Sequence, residues 1–422
     1  MRLALDGESP LLRLTSHLAL KLPHFLRALS TRNYRIYFIG QCVSLLGNWM
    51  TGTAAVWLVY RLSASPFDVG LIYFANQIPV LFLAPFAGVW IDRVDGLKVV
   101  GWTQVLGMAQ SAALAVFAFS GHMTVPALFW LTLWQGFINA VDFPARQTLT
   151  FQLAGERSLL DNVIALNSVT FNLARLIGPA IAGFIIAAWG PAVCFTIDAA
   201  SYLAVLVSLV MVRLNPRAKR TSVPHPLADL REGLNYAWTH PAIRRVLTLV
   251  PVIALFGFAH SILAPVFARD IYFGDARMLG FLLSATGVGS LAAGVLLGIR
   301  KSGNGLDRLI VWGTRIAGVG LLGIAATPLF GAALPAFAAA GMGAALVMVG
   351  ANTLLQTMVR DEARGRVMSL FTMGQGFFPV GSLLVGAAAE GIGPRWAIAG
   401  CGVACVASGA VFSRVPVSGE AH

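Results

Sequence analysis

Apolar residues in this chain come in runs too long for a soluble core. Six runs, at 34–60, 69–91, 99–120, 125–147, 163–188 and 193–212, are followed by a polar stretch at 213–245. Six more follow at 246–267, 279–299, 309–330, 335–357, 367–389 and 396–413. A helix rises about 1.5 Å per residue, so roughly 20 apolar residues cross the hydrocarbon of a bilayer. The pattern predicts an all-α membrane protein of twelve transmembrane helices, six and six. Polar positions inside two runs are periodic. Thr132, Gln135, Asn139, Asp142 and Arg146 recur at three- and four-residue steps, and so do Gln41, Ser44, Asn48 and Thr51. Lipid would leave such stripes unsatisfied, so they are expected to face the bundle interior or water. Hydrogen bonding between helices without transport is the alternative reading of them.

The chain also repeats. Gly178, Gly183, Gly190 and Pro191 reappear as Gly381, Gly386, Gly393 and Pro394, each 203 residues further on. A glycine removes the side chain where a neighbouring helix could approach, and Pro179 invites a kink. Gly178, Pro179, Gly183, Gly381 and Gly386 therefore read as a helix-packing motif used twice. The expected organisation is two six-helix bundles related by pseudo-two-fold symmetry, 1–212 and 246–422. Residues 213–245 would join them as a cytoplasmic linker, with an interfacial helix at 227–239 where Leu227, Leu230, Leu234 and Trp238 share a face.

Composition agrees with lipid as the solvent. Only 11% of the 422 residues are charged, against about 25% in soluble domains. The net charge of +12 would raise nucleic acid as a partner, but its basic residues sit in short loops between apolar spans. With a cytoplasmic N-terminus, twenty-four Lys and Arg fall in inside segments. Only Arg61, Arg269, Arg277 and Arg395 fall outside, and Arg175 and Arg315 lie within spans. The positive-inside rule places both termini in the cytoplasm, in a bacterial-type inner membrane. Asp6 and Glu8 and the lack of an apolar h-region argue against a cleavable signal peptide. Cys42, Cys194, Cys401 and Cys405 fall in apolar runs without metal-ligand spacing and read as packing residues, so no metal is expected. There is no Gly-x4-Gly-Lys-Ser/Thr loop for ATP and no Ser/His/Asp cluster, so neither an enzyme nor a cofactor is expected.

At the end of the second span stands Gly88-Val89-Trp90-Ile91-Asp92-Arg93-Val94-Asp95-Gly96-Leu97-Lys98. This stretch resembles the loop signature of the Major Facilitator Superfamily, and Gly178-Pro179…Gly183 resembles the fifth-helix signature of its drug–proton antiporters. Three further stretches resemble the subgroup holding enterobactin exporters and macrolide efflux pumps. These are Arg32-Asn33-Tyr34-Arg35 running into Gly47-Asn48-Trp49, Asn139 to Gln147, and Asp229-Leu230-Arg231-Glu232-Gly233. The chain departs from the resemblance where Asp95-Gly96-Leu97 replaces a basic run, and where Thr132 stands at the usual Arg before Gln135-Gly136. The second-half copy of the loop, Gly294 to Lys301, puts Gly298 where Asp92 stands. The resemblance implies a cavity lined by helices one, four, seven and ten. That places Gln41, Asn48, Trp49, Gln135, Asn139, His260, Asn352 and Gln356 in the substrate cavity.

Charged residues within or beside the spans carry the gate and coupling expectations. The resemblance implies that Asp142 meets Asp92 and Arg93 as a latch on the inner gate, the plain alternative being an i,i+4 pair with Arg146. His260 reads as a packed histidine more readily than a proton carrier. Glu390 is expected in solvent beside Arg395. Arg175 and Asp198 lie at one depth on consecutive antiparallel helices and are expected to pair, as a static brace or as a proton switch. The function implied is a secondary exporter of amphiphilic or hydrophobic small molecules by alternating access. It would work as a monomer in the lipid bilayer, by antiport with protons. The alternatives are a narrow-substrate siderophore or lipid mover, and a membrane sensor or scaffold without turnover. Topology is the first test. Single cysteines replacing Lys219 and Arg364 should label only from the cytoplasm, and those replacing Gly121 and Gly393 only from outside. Outside labelling at 219 would reverse the orientation.

Overall fold

The computed structural model describes residues 24–91, 94–154, 159–212, 236–300 and 305–413. After a 3-10 segment, His24–Ser30, the first six long helices are α1 Arg32–Ser63, α2 Pro66–Ile91, α3 Gly96–Phe119, α4 Val125–Ala154, α5 Leu160–Trp189 and α6 Pro191–Met211. The seventh, α7, is built of Pro241–Val252, Ile253–Gly257, Ala259–Val266 and Phe267–Ile271. Then follow α8 Ala276–Ile299, α9 Leu306–Ala326, α10 Phe330–Met358, α11 (Asp361–Gln375 and Phe378–Ile392) and α12 Pro394–Ser413. Eleven helices among the described residues are long and apolar enough to cross a membrane. The remaining long helix, α4, has 30 residues and carries the polar stripe, which lowers its hydropathy. Most of the proposed linker and its interfacial helix, 213–235, lies outside the described residues.

Local chemistry explains the breaks between helices. Gly190 and Gly393 turn the chain at φ +87° and +89°, a region costly for any residue with a Cβ. Pro191 and Pro394 follow at the first helical position, where a missing N–H costs nothing. Asp95 and Asp275 cap α3 and α8, accepting from the backbone of Leu97 (3.0 Å) and Arg277 (2.9 Å). Pro251 and Pro265 lie within α7, whose middle and end are widened into π turns.

Packing repeats with the sequence. The pairs α2–α4, α3–α4 and α3–α6 recur as α8–α10, α9–α10 and α9–α12. Gly178 lets α5 seat on Trp49 and Leu46 of α1, and Gly381 lets α11 seat on Leu255 of α7. Between the two sets, α5 packs on α8 and α2 on α11. There the second glycine of each motif makes the room. A Cβ at Gly183 would lie 2.6 Å from the Ala276 carbonyl oxygen and 3.2 Å from Gly280 Cα. One at Gly386 would lie 2.8 Å from the Pro66 carbonyl oxygen and 3.4 Å from Gly70 Cα. The outer surface is apolar, with Trp102, Trp130, Phe143, Trp189, Val210 and Trp396 all exposed, as a lipid-facing surface requires.

Overpacking of this kind costs about 1–3 kcal/mol. Gly183→Val should therefore lower the thermal unfolding midpoint of the purified protein. Gly391→Ala, where nothing lies within 4 Å, should leave it unchanged. Equal midpoints for both variants would show that the α5–α8 approach does not hold the fold.

Candidate functional site

The polar stripe of α4 points inward and is met by α1 and α3. The Asp142 carboxylate accepts from Thr103 Oγ1 (2.5 Å) and Gln104 Nε2 (3.0 Å), and its other oxygen pairs with Arg146 one turn along. The Arg146 guanidinium also donates to Gln41 of α1 and to Gln104 Oε1 (2.9 Å). Asp142 is thus held by the i,i+4 pair and by α3, while Asp92 and Arg93, its expected latch partners, lie outside the described residues. A buried pair whose remaining lone pairs and protons are satisfied avoids much of the desolvation penalty. Higher on α4, Gln135 Nε2 donates to Asn139 Oδ1 (3.0 Å). The α3 partners Thr103, Gln104 and Ser111 are not among the residues that the spacing singled out. Gln104 and Ser111 lie two turns apart on α3, with Thr103 next to Gln104.

Asp198 lies deeper and is 1% exposed. Its Oδ2 accepts from Ser111 Oγ of α3 (2.7 Å), and Ser201 Oγ lies 3.4 Å from Oδ1. Gly47 of α1 makes the room, since a Cβ there would stand 2.6 Å from Asp198 Oδ1. The expected pair with Arg175 does not form in this conformation. The two residues differ in direction around their helices. Asp198 faces α1 and α3, whereas Arg175 turns to the other side of α1, its guanidinium 6.0 Å from the Trp49 ring centroid. Tyr73 of α2 and His260 of α7 lie within electrostatic reach of it. An Arg left without an acid at the middle of a span costs at least about 2.5–3.5 kcal/mol.

His260 is fully buried, its Nδ1 3.0 Å from the Gly257 carbonyl oxygen and its Nε2 without a partner. Rings continue from it. Phe258 stacks near it, Phe337 meets it edge-on, and Phe258 meets Phe378, which meets Tyr73. Asn48 stands exposed two turns above Gln41 on the same face of α1. On α10, Gln356 donates to Asn352, repeating the paired amides of α4.

Contacts between the first six helices and the rest gather toward one end. Tyr60 donates to Asp270, Arg269 Nη1 donates to the Tyr60 carbonyl (3.0 Å), and Ser382 Oγ donates to the Gly70 carbonyl (3.0 Å). Glu390 is exposed near the end of its helix, as expected. It also accepts from Ser65 Oγ (2.5 Å) and the Phe67 N–H (3.2 Å), bridging α11 to the start of α2. Toward the opposite end, polar side chains are exposed on several helices. They include Ser168 on α5, Thr353 and Gln356 on α10, and Ser369 and Thr372 on α11. Thr353, Ser369 and Thr372 turn their hydroxyls back to carbonyls of their own helices, and Gln356 donates to Asn352. A separate groove of about 730 Å³, lined by Trp90, Trp102, Trp134 and Lys98, lies on the flank of α2, α3 and α4, away from this interior. Among the described residues no three His, Cys, Asp or Glu gather as metal ligands, and the four cysteines are free thiols.

The family of transmembrane secretion effectors matches residues 25–421. The chain is 25% identical to the staphyloferrin A transporter of Staphylococcus aureus, over 88% of this chain and 94% of that protein. It is 26% identical to the multidrug efflux pump Tap of Mycolicibacterium fortuitum, over 82% and 87%. In fold it is similar to the nucleoside transporter NupG, with a TM-score of 0.68 at 15% identity, covering 91% of this chain and 98% of that one. These relatives are membrane transporters and not enzymes. The chain belongs to the transmembrane secretion effector family of the Major Facilitator Superfamily.

Proposed function

We propose that the protein is a secondary exporter of amphiphilic or hydrophobic small molecules, working by alternating access and driven by inward protons. Two six-helix bundles, 1–212 and 246–422, joined by a linker at 213–245, would rock against each other around the interior lined by α1, α4, α7 and α10. The observation that carries this reading is the asymmetry between the ends. Contacts such as Ser65–Glu390 and Gly183–Ala276 join one end, while exposed polar side chains lie toward the other, which would be the open end. With both termini cytoplasmic, as the basic loops argue, the open end faces the cytoplasm and the protein is poised to load from inside. The likeness to Tap favours export, and the likeness to the staphyloferrin A transporter supports a narrower siderophore substrate as the second reading.

Asp198 is the carboxylate best placed to carry the coupling proton. It is buried at mid-span among the hydroxyls of Ser111 and Ser201, with Tyr202 and Cys194 on its own helix nearby. Arg146 and Asp142 sit beyond, already bonded to each other and to Gln104. A carboxylate so placed holds charge at a cost that a proton removes. Asp142 and Arg146, with Asp92 and Arg93, are the proposed inner-gate residues.

The test is flux of candidate substrates in proteoliposomes, with and without a pH gradient. The wild type should accumulate substrate only with the gradient. Asp198→Asn, fixed in the neutral form, should still pass substrate down its own gradient but lose the response to pH. An unchanged pH response would remove Asp198 from the coupling, and no gradient-driven movement of any substrate would remove the exporter reading.

A further inference from the structure

Among the described residues, no acid pairs with Arg175. Of the two acids buried within the described membrane helices, Asp142 is taken by Arg146, and Asp198 faces α1 and α3. Beside Arg175 stands a ring instead. Trp49 lies under the guanidinium and is met edge-on by Phe171, while Tyr73 of α2 and His260 of α7 lie within electrostatic reach. His260 supplies the second, independent observation. It is fully buried, Gly257 engages Nδ1, and Nε2 is left with no partner in the protein. A buried polar atom without a partner is costly unless something else supplies one.

We infer that Arg175 and His260, one from each half, form the head-group site for an organic anion whose apolar or aromatic body packs against Trp49, Tyr73 and Phe378. The inference rests on the exporter reading and narrows its substrates to amphiphiles bearing a carboxylate or comparable oxyanion. A guanidinium presents donors in a planar fork suited to a carboxylate. The site also straddles the two bundles. Tyr73 O–H donates to the Ser261 carbonyl (3.3 Å) beside His260, so a bound anion would sit where α2 and α7 already meet. Rocking of the halves would then pull Arg175 and His260 apart and weaken the hold on the anion, which is what release requires.

The test uses two probes with one body and opposite charge, 1-pyrenebutyrate and pyrenebutyl-trimethylammonium. Binding to the protein in phosphatidylcholine nanodiscs is read by fluorescence anisotropy, with empty nanodiscs subtracted. The wild type should bind the anion roughly ten-fold or more tightly than the cation. Arg175→Gln should weaken the anion by a similar factor and leave the cation unchanged, and Arg175→Lys should recover part of the loss. Preference for the cation, equal affinity for the two, no binding of either, or an unaltered anion affinity in a folded Arg175→Gln protein would overturn the inference. Flux of the same probes is read separately. Arg175-dependent binding of the anion without any flux would sink the exporter reading alone, and flux of the cation only would sink this inference alone.

Discussion

The close approach of α5 to α8 and of α2 to α11 governs the rest of the structure. Lipid is as apolar as a leucine side chain, so helices in a membrane gain little from hydrophobic burial against each other. They gain from van der Waals contact, which grows as backbones come together. Gly183 facing Gly280, and Gly386 facing Gly70, allow that approach in both places. The two junctions are repeats of one another, because the glycines of α5 recur in α11. Both lie toward the end where Glu390 meets the start of α2 and Tyr60 meets Asp270. The first six helices and the last six are therefore joined at these close approaches.

The same scarcity of water orders the charges. Polar groups inside the first six helices are tied to each other, with Asp142, Arg146, Gln104 and Gln41 forming one connected set and Asp198 and Ser111 another. Among the described residues, the interior of α7 to α12 has amides and a histidine but no buried acid. The proton coupling proposed for this protein therefore draws on acids of the first six helices. Among the described residues, Arg175 has the Trp49 ring beside it and no acid paired with it.

Much of this is legible in residue spacing. The apolar runs locate the long helices α1 to α12 to within several residues of their ends, because a span must be apolar along its length. The Asp142–Arg146 contact follows from the i,i+4 step. What spacing does not supply is direction around an axis. Arg175 and Asp198 share a depth, yet α5 and α6 each pack more extensively on α1 than on one another, and the two side chains leave α1 on different sides. The contacts of Glu390 are not legible in the sequence for a related reason. Its partners lie more than 320 residues away, across a junction that no local pattern encodes. The π turns of α7 are not visible in the sequence either, because Pro251 and Pro265 signal a break without its kind.

The central claim is that closure at one end and opening at the other are reciprocal. Paired spin labels measured by double electron–electron resonance test it most directly. One pair would replace Leu62 and Phe273 at the clasped end, and a second would replace Thr148 and Thr357 toward the open end. In the substrate-free protein the first distance should be short and the second long. Lowering the pH with substrate present should lengthen the first and shorten the second together. Two distances that stay fixed, or that lengthen in step, would contradict alternating access in this protein.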